Sequence, residues 1–131
     1  MTGLDTNVLV RYLTHDEPKQ TAAAMKVMNS LSFESPGFLS LIVIAELVWV
    51  LGISCRYQKK EIEQVLESLL RSKELTIERA DIVSQAFRAF RAGRADFADY
   101  LIERCAHAAD CQFTVTFDRK AARVPGMQLL Q

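Results

Sequence analysis

The sequence predicts an α/β domain in which a short parallel sheet is flanked by helices. Short apolar or β-branched segments alternate along the chain with longer segments of helical periodicity. Strands separated by helices are typical of parallel pairing, because a connection between parallel strands needs a crossover. The chain has 131 residues and half of them are hydrophobic, which excludes a disordered or fibrous protein. We therefore expect one three-layer α/β/α domain over residues 1–131.

Six helices are predicted from the spacing of apolar residues and from residues that cap their ends. They cover residues 7–13, 16–31, 41–51, 59–71, 79–92 and 96–109. Asp16 is expected to cap the second helix and Ser40 the third, whereas Gly93 ends the fifth. The second helix is expected to bury one stripe that consists of Ala22, Met25, Met28 and Leu31 or their near neighbours.

The strand candidates are short and lie between these helices. They are the apolar start at Leu4 and residues 38–39, 75–77, 113–116 and 127–129. The segment 113–116 is aromatic and β-branched, which predicts a buried strand. Residues 118–122 are expected to form one helical turn, and residues 127–129 a final edge strand.

Composition restricts the classes of function. The 16 basic residues balance the 16 acidic ones, which weighs against a partner held by bulk electrostatics. Three cysteines without a Cys-x-x-Cys pair indicate reduced thiols and neither a disulfide framework nor a zinc knuckle. The first residues show no secretory signal, and the longest apolar run, residues 41–53, is too short to span a bilayer. We expect a cytoplasmic protein with no membrane association.

Two acids directly follow predicted strands. Asp5 comes after the first strand and Asp118 after the strand at residues 113–116. Either one could simply cap the next helix, since Asp is a common N-cap. In open parallel sheets, however, ligands bind outside the carboxyl ends of the strands. Two acids at that edge therefore favour a functional site.

Glu46 stands inside a helical segment that is otherwise apolar on every side. Such a helix is expected to be buried all round, where an unpaired carboxylate is costly. A buried ion pair with Arg or Lys is one explanation, and a bound cation is a better one, because buried ion pairs are poor stabilisers. The helix start lies near the strand edge, so Glu46 is expected to share a site with Asp5.

Asp96 and Asp99 are three residues apart and share a helix face. Both could serve the start of that helix, Asp96 as N-cap and Asp99 in the first turn, with Arg94 and Arg104 close enough in sequence to neutralise them. Four separate segments nevertheless each supply an acid that can be placed at one sheet edge: Asp5, Glu46, Asp99 and Asp118. Crowded carboxylates repel one another, and a hard divalent cation such as Mg²⁺ or Mn²⁺ removes that repulsion. Such an ion can activate water and hold a phosphodiester.

Other chemistries lack their motifs. The chain has no phosphate-binding glycine loop, and its two histidines, His15 and His107, do not favour a metal-free ribonuclease. Glu103, His107 and Cys111 are spaced like a zinc-binding helix face, but a fourth ligand is missing. Trp49, the only tryptophan, is expected to be a packing residue.

Four blocks of sequence, in order, resemble the PIN-domain nucleases and more closely the VapC toxins of bacterial toxin–antitoxin pairs. The blocks are Leu4-Asp5-Thr6-Asn7-Val8-Leu9, the segment from Ser40 through Ala45-Glu46-Leu47 to Leu51, Asp96-Phe97-Ala98-Asp99-Tyr100-Leu101-Ile102, and Thr114-Val115-Thr116-Phe117-Asp118-Arg119. The closing Val124-Pro125-Gly126-Met127 also fits. The resemblance covers nearly the whole chain and implies a PIN-like fold.

The resemblance implies a Mg²⁺-dependent endoribonuclease that leaves a 5′-phosphate and a 3′-hydroxyl. It matches Asp5, Glu46, Asp99 and Asp118 to the family's four acids, with Asp5 and Asp99 as direct metal ligands, Asp118 as the most variable acid and Asp96 as an auxiliary one. Thr6, Asn7 and Thr116 match polar positions that orient acids or waters. It also implies a homodimer silenced by a VapB-like antitoxin. The outer apolar side of residues 41–71 would suit a second subunit.

Candidate phosphate contacts are basic residues near these blocks: Arg11, Arg94, Arg119, Lys120 and Arg123. Two alternatives remain open, a receiver-like signalling domain phosphorylated on a strand-end Asp and an inactive PIN scaffold that only binds RNA or protein. If the five acids including Asp96 gather in one pocket, 16 bases face 11 acids elsewhere, because 16 − 5 = 11. A neutral total is therefore compatible with a polyanionic substrate.

Overall fold

A computed structural model describes all 131 residues of the chain. Six α-helices are present: α1 (Thr6–Thr14), α2 (Pro18–Ser30), α3 (Leu41–Ile53), α4 (Lys59–Arg71), α5 (Ala80–Ala92) and α6 (Phe97–Ala108). Five short strands accompany them: β1 (Thr2–Gly3), β2 (Gly37–Leu39), β3 (Leu75–Ile77), β4 (Thr114–Thr116) and β5 (Met127–Leu129). One 3₁₀ turn covers Ala121–Arg123. The predicted α/β class, with helices between short parallel strands, is confirmed.

The chain divides into two compact units, Met1–Ala80 and Asp81–Gln131, called here the N-terminal and C-terminal units. The N-terminal unit holds a parallel sheet of order β1-β2-β3, and the C-terminal unit a parallel pair, β4-β5. The strands therefore form two hydrogen-bonded sheets where one was expected. Each strand has only two or three residues, so each ladder contains few hydrogen bonds. The single domain over residues 1–131 stays a prediction.

The N-terminal unit is built on α1, which packs against α2 and α3, while α4 packs against α3 and β3. Ser40 caps α3 as predicted, because its Oγ accepts a hydrogen bond from the Val43 amide at 3.2 Å. Six fully buried aliphatic side chains line the core of this unit: Leu9, Leu39, Ile44, Leu47, Leu51 and Leu66. Complete burial of such side chains contributes about 1.5–3 kcal/mol each.

The start and the buried stripe of α2 differ from the prediction. Glu17, not Asp16, caps the helix, and its carboxylate accepts hydrogen bonds from the Lys19 and Gln20 amides at 3.2 and 2.6 Å. The fully buried residues of α2 are Thr21 and Ala24, whereas the predicted Ala22 and Met25 are exposed and Met28 and Leu31 half-buried. The buried residues of α2 are small, which suits its packing against α1. Side-chain size as well as hydrophobicity therefore determines which residues of α2 are buried.

The prediction that α3 is buried on all sides is wrong. Ile44, Leu47 and Leu51 form its buried stripe, but Ile42, Trp49 and Ile53 are 76%, 62% and 65% exposed. Glu46 lies on the same open face and is itself exposed. Burial therefore does not force Glu46 to bind a cation, and Trp49 does not have the packing function expected for it. An apolar helix sequence does not distinguish a face against the core from a face open to solvent.

The C-terminal unit contains an aromatic cluster between α5 and α6. The Phe90 ring meets the Phe97 ring edge-on, with 5.8 Å between their centroids. The Tyr100 ring also packs on Phe90, and its hydroxyl lies where any side chain at position 93 would clash. Gly93 thus both follows α5, as predicted, and allows α6 to approach.

Strand β4 is not buried, contrary to the prediction for residues 113–116. Val115 is 51% exposed, and Phe113 is exposed and lies outside the strand. Strand propensity made this segment a strand, but propensity does not determine what covers its faces. The helical turn predicted over residues 118–122 lies further along the chain, as the 3₁₀ turn at Ala121–Arg123, and β5 is the predicted last strand. No helix in the chain has both the length and the apolar character needed to cross a membrane.

Candidate functional site

The N-terminal unit joins two of the predicted acids through one threonine. Asp5 caps α1, and its Oδ1 accepts a hydrogen bond from the Thr6 amide at 2.9 Å. The Thr6 hydroxyl donates a hydrogen bond to Oε1 of Glu46. We call Asp5 and Glu46 the N-terminal acid pair. Thr6 connects the two carboxylates, one at the start of α1 and the other on α3.

Helix packing explains why Thr6 can make this connection. Thr6 is the first residue of α1 and is buried, and α1 packs against α3, the helix that carries Glu46. The two carboxylates themselves face solvent. A buried donor thus holds an exposed acid, and the oxygen atoms of the pair remain accessible. The sequence identified Thr6 only as a matching polar position, since the residue that its hydroxyl contacts is 40 positions away.

Asn7 and Arg11 lie further along the N-terminal unit and line a hollow of about 320 Å³ between α1 and α2. The Arg11 side chain is already engaged, since its Nε donates to Oε1 of Gln20 at 2.6 Å and its Nη1 lies 3.3 Å from Oδ1 of Asp16. A larger groove of about 650 Å³ is lined by residues of α1, α2 and α4 and by none of the predicted acids.

The other three acids lie in the C-terminal unit. Asp96 caps α6, and its amide donates to Oδ2 of Asp99 at 3.1 Å. Lys120 places its Nζ 2.8 Å from Oδ1 of Asp96. We call Asp96, Asp99, Asp118 and Lys120 the C-terminal acid cluster. The capping function considered for Asp96 and Asp99 is real, and the same two residues belong to the cluster.

Asp118 is fixed by hydrogen bonds within the turn that follows β4. Its Oδ1 accepts the Lys120 amide at 2.8 Å, and its own amide donates to Oγ1 of Thr116 at 3.0 Å. Thr116 thus accepts a hydrogen bond from the backbone of Asp118, and its supporting function in the site stays a prediction.

The electrostatics of the cluster centre on Asp99, which is half-buried. Burial raises the pKa of Asp99, and the negative charges of Asp96 and Asp118 add to this rise. The hydrogen bond from the Asp96 amide and the charge of Lys120 act in the opposite direction. On Lys120 the hydrogen bond to Asp96 raises the pKa of the ammonium group, so the pair favours the charged lysine.

The arginines expected beside these acids are placed differently. Arg104 does not neutralise Asp96 or Asp99; its guanidinium binds both carboxylate oxygens of Glu103, at 2.7 and 3.0 Å. The cation on Asp96 is Lys120, which the sequence proposed only as a phosphate contact. Arg94, Arg119 and Arg123 are exposed. Sequence proximity favoured Arg104, but it lies five residues after Asp99, whereas residues that face each other on a helix are three or four apart.

The donors present are of the kind that holds a hard divalent cation. Carboxylate and hydroxyl oxygens are the ligands that Mg²⁺ and Mn²⁺ prefer. In the C-terminal unit the acids attract a cation already, in the form of the Lys120 ammonium. The residues therefore fit a divalent ion, although no group of three or more His, Cys, Asp or Glu side chains is drawn together closely enough to ligate one.

Comparison with known proteins gives the family. No curated protein matches the chain significantly. The model of the PIN-domain family matches residues 4–127, which include every acid of the pair and of the cluster. PIN domains are usually nucleases that depend on divalent metal ions. From the length of this match, the chain belongs to the PIN-domain family.

Proposed function

We propose that the protein is a Mg²⁺-dependent endoribonuclease toxin of the VapC type, which hydrolyses phosphodiester bonds in RNA. The observation that carries the proposal is the C-terminal acid cluster, where the negative charges of Asp96 and Asp118 raise the pKa of the half-buried Asp99 carboxyl. Such a group of acids is stabilised by a bound cation. Membership of the PIN-domain family supports the same chemistry.

The proposed catalytic residues are Asp5, Glu46, Asp99 and Asp118. Asp5 and Asp99 are proposed as direct ligands of Mg²⁺, with Mn²⁺ as a substitute, and Asp96 as an auxiliary acid. When bound, the metal ion supplies the activation of water and offsets the charge on the attacked phosphate. The products are a 5′-phosphate and a 3′-hydroxyl.

The surrounding residues hold these acids in position. The Thr6 hydroxyl fixes the rotamer of Glu46, and the Thr6 amide does the same for Asp5. Thr116 and the Lys120 amide fix Asp118. Since the reaction does not use the 2′-hydroxyl, the choice of RNA over DNA comes from binding contacts. Arg11, Arg94, Arg119, Lys120 and Arg123 are proposed for those contacts, with Asn7 as a further polar residue.

The proposal includes two protein partners and a location in the cytoplasm. A VapB-like antitoxin is proposed to silence the enzyme. A second copy of the chain is proposed to form a homodimer. The exposed apolar side chains on α3, namely Ile42, Trp49 and Ile53, support the homodimer, since a monomer rarely leaves such a stripe open. Glu46 lies on the same face of α3, so the second copy is proposed to border the acid site and leave the Glu46 carboxylate open to substrate.

A chelator experiment tests the enzymatic part. Purified, antitoxin-free protein is incubated with a panel of structured RNAs in Mg²⁺, with and without EDTA, beside Asp5→Ala and the control Glu34→Ala, which removes an exposed acid outside the proposed site. We expect EDTA-sensitive cleavage by the wild type and Glu34→Ala, and none by Asp5→Ala. Equal cleavage by Asp5→Ala, or no EDTA-sensitive cleavage of any RNA, contradicts the proposal.

The same preparation separates the alternatives. RNA binding without cleavage by wild-type protein would identify an inactive scaffold. Acid-labile phosphate on Asp5 after incubation with a small phosphodonor would identify a receiver-like domain.

A further inference from the structure

We propose that Lys120 is a tethered counter-ion of the C-terminal acid cluster, which occupies Asp96 while no divalent cation is bound and is released when one binds. The inference rests on the proposed function in one respect, namely that the cluster takes a divalent cation. It assigns to Lys120 a positioning function that links metal binding to substrate binding.

Two contacts of one residue place the ammonium group. The Lys120 amide is fixed on Oδ1 of Asp118 at 2.8 Å, and its Nζ is 2.8 Å from Oδ1 of Asp96. The lysine thus spans two acids, one with its main chain and the other with its side chain. Only the side-chain contact must break for the ammonium to leave, so the turn that carries Asp118 is unaffected.

The charges of the cluster explain why the lysine is held there. Asp96 and Asp118 each interact electrostatically with Asp99, and all three acids interact with Lys120. One ammonium group offsets one of three negative charges. A divalent ion bound at Asp99 offsets two and repels the nearby ammonium, so Lys120 leaves Asp96 although Asp96 is not itself a direct ligand.

Exposure makes the exchange easy. The side chains of Lys120 and Asp96 are 51% and 68% exposed, and water solvates both when they separate. An exposed ion pair of this kind changes an equilibrium constant by roughly two- to fivefold. The lysine therefore competes with the metal ion but does not block it.

The ammonium group of Lys120, once released from Asp96, can bind a phosphate of the RNA substrate. A phosphate of RNA is the anion that the metal-loaded protein brings to the site, and a lysine is a point charge suited to it. Metal binding and phosphate binding are then coupled, and the coupling is reciprocal. Lys120 contacts phosphate in the metal-loaded protein and Asp96 in the metal-free protein.

Metal affinity gives a test that does not depend on activity. Mn²⁺ binding is measured by electron paramagnetic resonance, and Mg²⁺ by competition, for the wild type, Lys120→Met and Lys120→Arg. Arg88→Met is the matched control, because it removes one exposed positive charge from the same unit outside the cluster. We expect Lys120→Met to bind Mn²⁺ roughly two- to fivefold more tightly, and the other two variants to bind like the wild type.

Each other outcome has a definite meaning. If Lys120→Met binds Mn²⁺ no more tightly than the wild type, or if Arg88→Met gains as much, the inference is wrong and the nuclease proposal is unaffected. If wild-type protein binds no Mn²⁺, the metal dependence of the proposed function fails and the inference fails with it. Far-UV circular dichroism verifies that the variants are folded.

RNA binding supplies the second readout. Fluorescence anisotropy in Ca²⁺, and in EDTA, measures how much metal strengthens RNA binding. We expect the strengthening to be smaller in Lys120→Met than in the wild type, because only the wild type gains a free ammonium on metal binding. An equal gain in both proteins would refute the coupling.

Discussion

The N-terminal acid pair and the C-terminal acid cluster hold carboxylates in different ways. In the pair, Asp5 and Glu46 receive hydrogen bonds from the amide and hydroxyl of Thr6, a neutral residue buried in α1. In the cluster, Asp99 accepts from a backbone amide, while Asp96 is paired with the charged and exposed Lys120.

In the pair Thr6 positions the carboxylates, whereas in the cluster Lys120 compensates their charge. A neutral, buried donor fixes a geometry that salt and metal ions hardly alter, since no ion pair is involved. An exposed ion pair is weakened by salt and exchanged for another cation. We therefore expect changes in the pair to act on catalysis through geometry, and changes in the cluster to act on charge-dependent properties.

The largest effect is expected from the acids themselves. Asp99→Asn keeps the shape of the side chain and the acceptor for the Asp96 amide but removes the charge. We expect a loss of roughly 10²–10⁴-fold in RNA cleavage, measured as kcat/KM on a single cleavable RNA. Glu34→Gln is the control. Activity within threefold of the wild type would remove Asp99 from the catalytic set.

The second largest effect is expected from removing the hydrogen bond between Thr6 and Glu46. Thr6→Val keeps the volume and removes the hydroxyl that donates to Glu46, whereas Thr6→Ser keeps the hydroxyl. We expect Thr6→Val to lose about 10–100-fold in kcat, as is typical when an outer residue that orients an acid is removed, and Thr6→Ser to lose little. Equal kcat values for the two variants would show that Thr6 does not position Glu46.

The pH dependence of stability tests the electrostatics of the cluster. Because the folded-state pKa of Asp99 is raised, the folded protein favours its protonated form. The stability that this group contributes is complete below the unfolded-state pKa and is lost as the pH rises through the folded-state pKa. Asp99→Asn avoids this loss, so its metal-free form is expected to be more stable than the wild type at neutral pH.

Thermal unfolding in EDTA from pH 3 to 8 measures the difference between the two proteins. The gain of Asp99→Asn is expected to grow with pH and to level off at neutral pH. A gain that is constant over the whole range would mean that Asp99 ionisation does not cause it.

The smallest effect is expected from the Lys120–Asp96 ion pair, whose contribution to stability depends on salt. In metal-free protein the Lys120–Asp96 pair contributes at most about 1 kcal/mol to the free energy of unfolding, because both partners are exposed. The difference between the wild type and Lys120→Met is expected to vanish in high salt, while the cost of Thr6→Val persists. Urea unfolding at low and high NaCl measures both, and a salt-independent Lys120 effect would contradict the comparison.

Local signals in the sequence determine much of the fold. Ser40 caps α3 as predicted, α4 has the predicted bounds, and the apolar segments between helices form strands. These features depend on the chain near each residue, on caps, spacing and β-branching. The capping residue predicted for α2, Asp16, is wrong by one position, because the helix begins at Pro18 and Glu17 directly precedes it.

The sequence locates the candidate acids only approximately. The first strand, β1, covers Thr2–Gly3 and not the predicted Leu4, so Asp5 and Asp118 each come two residues after a strand, while Asp99 lies in the first turn of α6 as predicted. The burial expected for Glu46 is wrong, because α3 leaves that face open. The hydrogen bond from Thr6 to Glu46, and not burial of Glu46, now supports placing Glu46 beside Asp5.

The sequence by itself determined the α/β class, the positions of the helices and the residue types that a metal-dependent nuclease needs. Only the tertiary structure decided which face of α3 is open, that Thr6 reaches Glu46 and that Lys120, not Arg104, pairs with Asp96. The physical reason is the range of the forces. Caps and periodicity act within a few residues, whereas burial and ion pairing depend on groups that packing brings together from distant positions.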